Sequence, residues 1–413
     1  MTSVERVGLR GAVLCVGTSN GKVPGNWVRR GMMRSKLIAA ALAVGLLAGC
    51  GGFFPPLTTT TTSTSTSTGD YVYIVNQTTN SVSGFAVGAS VLSATTGSPV
   101  TLAGAVASSS AASVAVSRQN TFVYVGGQGG IGCFAIGSDG SLTPVAGSNL
   151  SSTGNFVSLD TSPDGQWLVG LDAVNHSINI YGITASTGLL TLNGTATAYP
   201  LAMAGNLSVA QAVRFAPTGT YVGLALGTSG DVVYPFTTSS GVLGLGQEIQ
   251  FQATGTNTSD TALTFDATGA YLYVARLVSG VGNSRVASYS INSSGVPALA
   301  HTVATGDAPF SVMIDNSGTY LYAANRGSGN VSGYTIANGV LTALPGSPYA
   351  SGLSATALVE DNTHKYVIAA AANGSSDYTM YSFDALSAGK LDAVSVGASG
   401  TDPAGSIAIA ATH

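Results

Sequence analysis

The sequence predicts an all-β fold, a seven-bladed β-propeller of four-stranded antiparallel blades whose ring is closed by the C-terminal strand. Three observations predict it. An aromatic-led apolar strand recurs seven times, as Tyr71-Val72-Tyr73-Ile74-Val75, Phe122-Val123-Tyr124-Val125, Trp167-Leu168-Val169, Tyr221-Val222-Gly223-Leu224, Tyr271-Leu272-Tyr273-Val274, Tyr320-Leu321-Tyr322-Ala323 and Tyr366-Val367-Ile368-Ala369. The steps between copies are 51, 45, 54, 50, 49 and 46 residues, the length in which one four-stranded blade is written. The run Asp402 to Ile409 repeats the pattern that precedes the later copies, whereas the first copy lacks such a strand.

Residues 1–49 read as an export segment. Arg34 and Lys36 form a basic patch, Leu37 to Leu46 an apolar run, and Leu47-Ala48-Gly49-Cys50 follows. A dozen apolar residues falls short of the roughly twenty that cross a bilayer as a helix, so a cleaved signal is expected. Residues 1–31 carry no signal pattern and read as an upstream start. The Leu-Ala-Gly-Cys tetrad resembles the lipobox of bacterial lipoproteins, which implies lipidation of Cys50 and attachment to the membrane through it. Residues 50–69 continue as a tether: Thr58 to Thr68 is an unbroken Thr/Ser tract with nothing apolar to bury. Eleven such residues span at most roughly 36 Å.

Residues 70–413 form the propeller. Each blade opens with a strand such as Ala212 to Ala216 or Ser311 to Asp315. Turn sequences such as Pro217-Thr218-Gly219 then lead into the aromatic strand. A third strand follows, as in Val331 to Ile336, and a fourth around Leu341-Thr342 to Gly346-Ser347-Pro348. The run Gly126-Gly127-Gln128-Gly129-Gly130 reads as a turn within a blade and not as a nucleotide loop, because no helix follows it.

Composition narrows the partners. Seven of the fourteen Lys and Arg, but only one acid, lie in residues 1–49, so the chain from Cys50 carries seven basic against seventeen acidic groups, a formal charge of about −10. Nucleic acid and anionic lipid surfaces are thereby excluded as electrostatic partners. With Cys15 removed and Cys50 lipidated, Cys133 remains as a lone buried thiol and no intramolecular disulfide is available. No metal-ligand spacing, nucleophile elbow or phosphate loop occurs, so no metal and no cofactor are expected.

In a propeller the loops entering the first strands and those joining second to third strands share one face. That geometry gathers Asp172, Arg276, Arg326, Asn76 and Asn325, which follow second strands, with Asp260, Asp307 and Asp402, which precede first strands. Each acid also fits a turn-capping role, and the arginines fit neutralisation of these acids. As a site, the two guanidinium groups would hold a carboxylate or sugar-acid oxygen. His176, after Asp172, is the one histidine near this face, and the pair are the acid/base candidates. His301 falls in an outer strand, His364 in a turn on the opposite face, and His413 is terminal.

The run Tyr320-Leu321-Tyr322-Ala323-Ala324-Asn325-Arg326, with Val331-Ser332-Gly333-Tyr334, Leu341-Thr342 and Gly346-Ser347-Pro348, is similar to the seven-bladed lactonase family, which includes propeller 6-phosphogluconolactonases and muconate-lactonizing enzymes. The resemblance spans Tyr71 to Ala411. It implies the propeller fold and a site at the channel mouth. Family enzymes carry Pro-Arg-His where a channel strand begins, whereas the matching positions here read Pro309-Phe310-Ser311 and Ala210-Gln211-Ala212. The expectation that follows is a monomeric, envelope-tethered binding module for a small carboxylate or sugar ligand, a glycan or a protein, on the outer membrane or the periplasmic or surface side, and not an enzyme. The alternative is a hydrolase of a sugar-acid lactone.

Overall fold

The computed structural model describes residues 69–102, 104, 106, 110–203, 205–249, 258–352, 354–373, 376–398 and 406–413. The export segment, Cys50, the Thr/Ser tract and Asp402 lie outside the described residues. Every regular element among the described residues is a β-strand, and the strand pairs are antiparallel.

The blades follow the repeat. Blade 4 is Ala212–Phe215, Tyr221–Ala225, Asp231–Thr237 and Val242–Leu243. Blade 5 runs Thr258–Phe265, Tyr271–Val278, Arg285–Ile291 and Pro297–Ala304, and blade 6 runs Pro309–Ile314, Tyr320–Asn325, Asn330–Ala337 and Val340–Ala343. Blade 7 is Ala355–Glu360, Tyr366–Ala371, Tyr378–Phe383 and Leu391–Gly397. In blade 1 the strands Tyr71–Asn76, Ser81–Gly88 and Val91–Ala94 are joined on the inner side by Ser406–Ala411, with Val72 opposite Ala411 and Ile74 opposite Ile409. No sheet closes on itself; the C-terminal strand completes the first blade as its innermost member.

Blades 2 and 3 depart from the expected separation. Blade 2 holds Ala111–Val116, Phe122–Ile136 and Leu142–Pro144, and blade 3 holds Leu150–Thr161, Trp167–Asp172, Ser177–Ile183 and Leu190–Leu192. The glycine run turns within blade 2 as expected: Gly129 and Gly130 take positive φ, and the stretch Phe122–Ile136 folds back on itself, the Ile136 N–H donating to the Thr121 carbonyl at 2.9 Å and Tyr124 packing with Cys133. That strand also pairs with the start of blade 3, Gln128 opposite Asn155 and Ile131 opposite Leu150, so the two blades share one sheet. The long step of 54 residues between the third and fourth copies accommodates a hairpin, Ala202–Met203 with Asn206–Leu207.

The aromatic that leads each second strand has a structural cause. A glycine at positive φ in the third-to-fourth strand turn of the next blade leaves out the Cβ that would collide with it. Gly140 makes room for Tyr71, Gly188 for Phe122, Gly241 for Trp167, Gly295 for Tyr221, Gly339 for Tyr271 and Gly389 for Tyr320. Tyr366 of blade 7 meets the corresponding turn of blade 1, where its hydroxyl accepts the Ser90 N–H at 3.2 Å. Two residues further along, the buried tyrosines reach the same turns: Tyr73 donates to the Gly140 carbonyl, Tyr124 to Gly188 and Tyr322 to Gly389, at 3.1, 3.0 and 2.6 Å. Gly389→Ala would force a Cβ at φ +77° into the Tyr320 ring and is expected to cost about 1–3 kcal/mol. Chemical denaturation checks this, with Gly318→Ala, where a Cβ would meet nothing within 4 Å, isolating the backbone part.

Cys133 packs among Tyr124, Phe156 and Leu159. Burial pushes its thiol up to about 12, which leaves it an inert core group.

Candidate functional site

The innermost strands of all seven blades face one central channel. Ala112, Val157, Ala212, Thr261, Ser311, Thr356 and Ile407, one from each blade, line an upper cavity of about 110 Å³. The lower part holds about 240 Å³ and is reached by Arg214, Asp160 and His413. The upper wall is small and weakly polar, so charge must come from the rim or from Arg214.

Arg326 is an open cation on the upper rim. Arg326, exposed just after the second strand of blade 6, holds its Cζ 5.1 Å from the centroid of the Phe310 ring, and Phe310 itself lines the channel. Among the described residues no carboxylate pairs with Arg326. Its backbone N–H donates to the Ala308 carbonyl and the next N–H, of Gly327, to the Asp307 carbonyl, both at 2.9 Å. This ties Arg326 to the loop that enters the channel. Asp307 is half-buried there, with Oδ1 accepting the Gly282 N–H at 2.7 Å. Ala308 sits between them at φ +50°, a conformation rare for a residue with a Cβ.

The other sequence candidates share this face but are mostly consumed by the fold. Arg276 is not an available ligand cation: its Nε and Nη2 hold both oxygens of Asp260 at 2.8 Å, and Nη2 also donates to the Tyr289 hydroxyl at 2.8 Å. Asp260 is fully buried. Asp172 is not an acid/base group in contact with His176. Its Oδ1 accepts the N–H groups of Asn155, Val174 and Asn175 at 2.9, 3.0 and 3.1 Å, and Oδ2 accepts the Asn175 amide at 2.7 Å. Buried Asn325 bridges Thr305, Asn330 and Ser332, and buried Asn76 donates to Ser83. His176 is exposed at φ +49°, its Nδ1 3.2 Å from the Tyr199 hydroxyl.

Several groups were not picked out from sequence. Asp231 is buried beside Asp260, its two oxygens without a hydrogen-bond donor while it is ionised. Desolvation and the Asp260 charge push its carboxyl well up, so it is held protonated against Asp260. Arg214 points from the fourth inner strand into the channel. Its Nη1 donates to the Val213 carbonyl, the Ser158 hydroxyl and the Leu159 carbonyl at 2.8, 3.2 and 3.4 Å, and its other nitrogens donate to nothing among the described residues. Asp160, next to it, is pushed up by burial against the pull of the Arg214 charge, and accepts the Phe215 N–H at 2.7 Å. The signal for Arg214 was visible, since an arginine on an innermost strand can only face the channel or the blade core.

A second titratable cluster lies at the lower mouth, on the face of the first-to-second strand hairpins. Burial pushes Glu360 up to about 7, and burial with a hydrogen bond donated by protonated Asp70 to Asp361 does the same to Asp70. Acids raised in the fold bind protons that the unfolded chain has already released between about pH 4 and pH 7, so stability falls as pH rises through that window. The chain is expected to melt at a lower temperature at pH 8 than at pH 5.5, and Glu360→Gln should flatten the difference; thermal scans at both pH values check it.

Among the described residues no cluster of His, Cys, Asp or Glu could hold a metal ion. The fold and the channel define a seven-bladed β-propeller with one central channel. The family model described as Lactonase, 7-bladed beta-propeller, matches residues 63–205 and 213–355, and the chain belongs to that family. Similar solved structures include a candidate 6-phosphogluconolactonase from Bacteroides fragilis (17% identity, 84% of this chain and 99% of that one, TM-score 0.66). A candidate 6-phosphogluconolactonase from Bacteroides uniformis (14%, 83% and 99%, TM-score 0.63) and a protein from Lactobacillus plantarum (17%, 83% and 99%, TM-score 0.65) are also similar. At these identities the likeness shows the fold alone. A search of curated proteins found no match.

Proposed function

We propose that the protein is a lactone hydrolase that opens sugar-acid lactones at the upper mouth of the channel. Membership of the lactonase family favours this over the binding module expected from the sequence. The observation that carries it is the open guanidinium of Arg326 stacked over Phe310, at the rim of the cavity and tied to the Asp307 loop.

The chemistry asks little of these groups. Water adds to the lactone carbonyl, the ring C–O bond breaks, the ring oxygen leaves as a hydroxyl, and the product is a hydroxy acid that releases one proton. Arg326 stabilises the oxyanion that forms on the carbonyl oxygen. The free oxygen of Asp307 orients the attacking water and takes its proton. Arg214, deeper in the channel, attracts an anionic substituent on the sugar. The polar Thr261, Ser311 and Thr356 face the ring hydroxyls.

Lipidation at Cys50 and a Thr/Ser tether would hold the enzyme in the bacterial envelope, with the domain lifted off the membrane, as residues 47–68 suggest. Acid release from a panel of aldonolactones, followed against the uncatalysed rate with the full-length chain, tests the reading. Turnover of at least one sugar lactone is expected. Binding of the lactones with no turnover would return the protein to the binding-module class.

A further inference from the structure

The lower mouth of the channel holds a built cavity that the lactonase reading does not use. It measures about 360 Å³ and is lined by Arg118, Asn316, Glu360, Asn362, His364 and His413, contributed by blades 2, 6 and 7 and the C-terminal segment. Arg118 donates from Nη1 to His413 Nδ1 at 2.9 Å. A guanidinium can only donate, so Nδ1 is the acceptor and the ring proton sits on Nε2, 3.4 Å from the Val116 carbonyl. Desolvation and the Arg118 charge lower this imidazole to about 4, so it stays neutral. The remaining Arg118 nitrogens donate to nothing among the described residues.

Across the cavity Glu360 accepts the Asn316 N–H through Oε2 at 2.6 Å and turns Oε1 toward His364 Nδ1 at 3.5 Å. The neighbouring acids are already occupied. Asp361 accepts the N–H groups of Lys365 and Tyr366 at 2.8 and 2.6 Å, and Asp315 those of Thr319 and Tyr320 at 3.0 and 2.7 Å. Asp70 faces Asp361 and accepts the Asn362 N–H. One open guanidinium therefore stands opposite one acid with free hydrogen-bonding capacity, with amide side chains between.

We propose that this lower mouth is a second ligand site, for a small hydroxycarboxylate anion, with the carboxylate on Arg118 and hydroxyls on Glu360, Asn316 and His364. Carboxylate recognition by a guanidinium and hydroxyl recognition by a carboxyl and amides are complementary here. The site shares no residue with the upper rim, so it stands or falls apart from the lactonase reading.

Gluconate is a suitable probe. Calorimetric titration of the full-length chain is expected to show binding that weakens several-fold from pH 6 to pH 8, as Glu360 loses its proton and begins to repel the anion. Asp315, Asp361, Asp70, Asp160, His364, Lys365, His413 and Arg118 are the other charged or titratable groups facing this region. Glu360→Gln should therefore abolish most of the pH difference while retaining binding. Arg118→Gln should weaken binding about tenfold or more. Absence of gluconate binding, affinity unchanged by Arg118→Gln, or binding lost instead in Arg326→Ala would each overturn the proposal.

Discussion

Deleting residues 403–413 is expected to abolish cooperative folding at 37 °C. The deletion removes the strand Ser406–Ala411, whose register against Tyr71–Asn76 makes it the inner member of blade 1. It also removes Thr412, whose Oγ1 accepts the Tyr71 N–H at 2.9 Å and donates to the Gly69 carbonyl at 3.0 Å. Ile407 and Ile409 are lost from the channel wall, and Val72 and Ile74, buried now, would lie on an open edge. Five or six ladder bonds at about 1 kcal/mol each, with two isoleucines at about 1.5–3 kcal/mol, amount to roughly 8–12 kcal/mol. That is comparable with the whole stability of an ordinary domain, about 5–15 kcal/mol. Deleting residues 58–68 is the matched control and should leave the melting temperature unchanged. An unaltered melting temperature after loss of the C-terminal strand would mean that it does not hold the ring shut.

Arg276→Ala is expected to destabilise the protein by about 3–5 kcal/mol, a drop in melting temperature of roughly 4–7 °C for a domain of this size. The substitution strips the cation Arg276 from a buried group of two carboxyls, Asp260 and Asp231. Asp260 lies in the first strand of blade 5 and its backbone bridges Gly227 of blade 4, so the cluster fastens two blades at the upper face. The loss should be recovered in large part by a second substitution, Asp260→Asn, which removes the stranded charge. Equilibrium denaturation of the two variants measures both steps. If Arg276→Ala cost nothing yet abolished lactone turnover, Arg276 would be a substrate ligand after all.

The fold was legible because its repeat is physical. The leading aromatic of each second strand needs a glycine in the next blade's turn, and both recur at blade spacing in the sequence. The shared sheet of blades 2 and 3 was not legible: Leu150–Thr161 runs unbroken from its pairing with Ile131 in blade 2 to the innermost position of blade 3, through Gly154-Asn155, which has the composition of a turn. For the site, topology placed Asp172, Asp260, Arg276 and Asn325 on the correct face. It could not show that backbone amides and neighbouring carboxylates saturate them, because those partners lie up to a blade away. Arg276 and Arg326 look alike in the repeat, each following a Tyr-Leu-Tyr strand, yet one is sealed by Asp260 and the other lies open over Phe310. Glu360, His364, Arg118 and His413 meet only in the ring, since 295 residues separate Arg118 from His413.

Arg326 is proposed to serve lactone opening at the upper mouth. The most direct test is kcat/KM for a sugar lactone, measured by proton release at constant pH for the full-length chain and for Arg326→Ala. Turnover above the spontaneous rate is expected, with a loss of about 10²–10³-fold in the variant at an unchanged melting temperature. Turnover unaffected by Arg326→Ala, or no turnover of any sugar lactone, would contradict it.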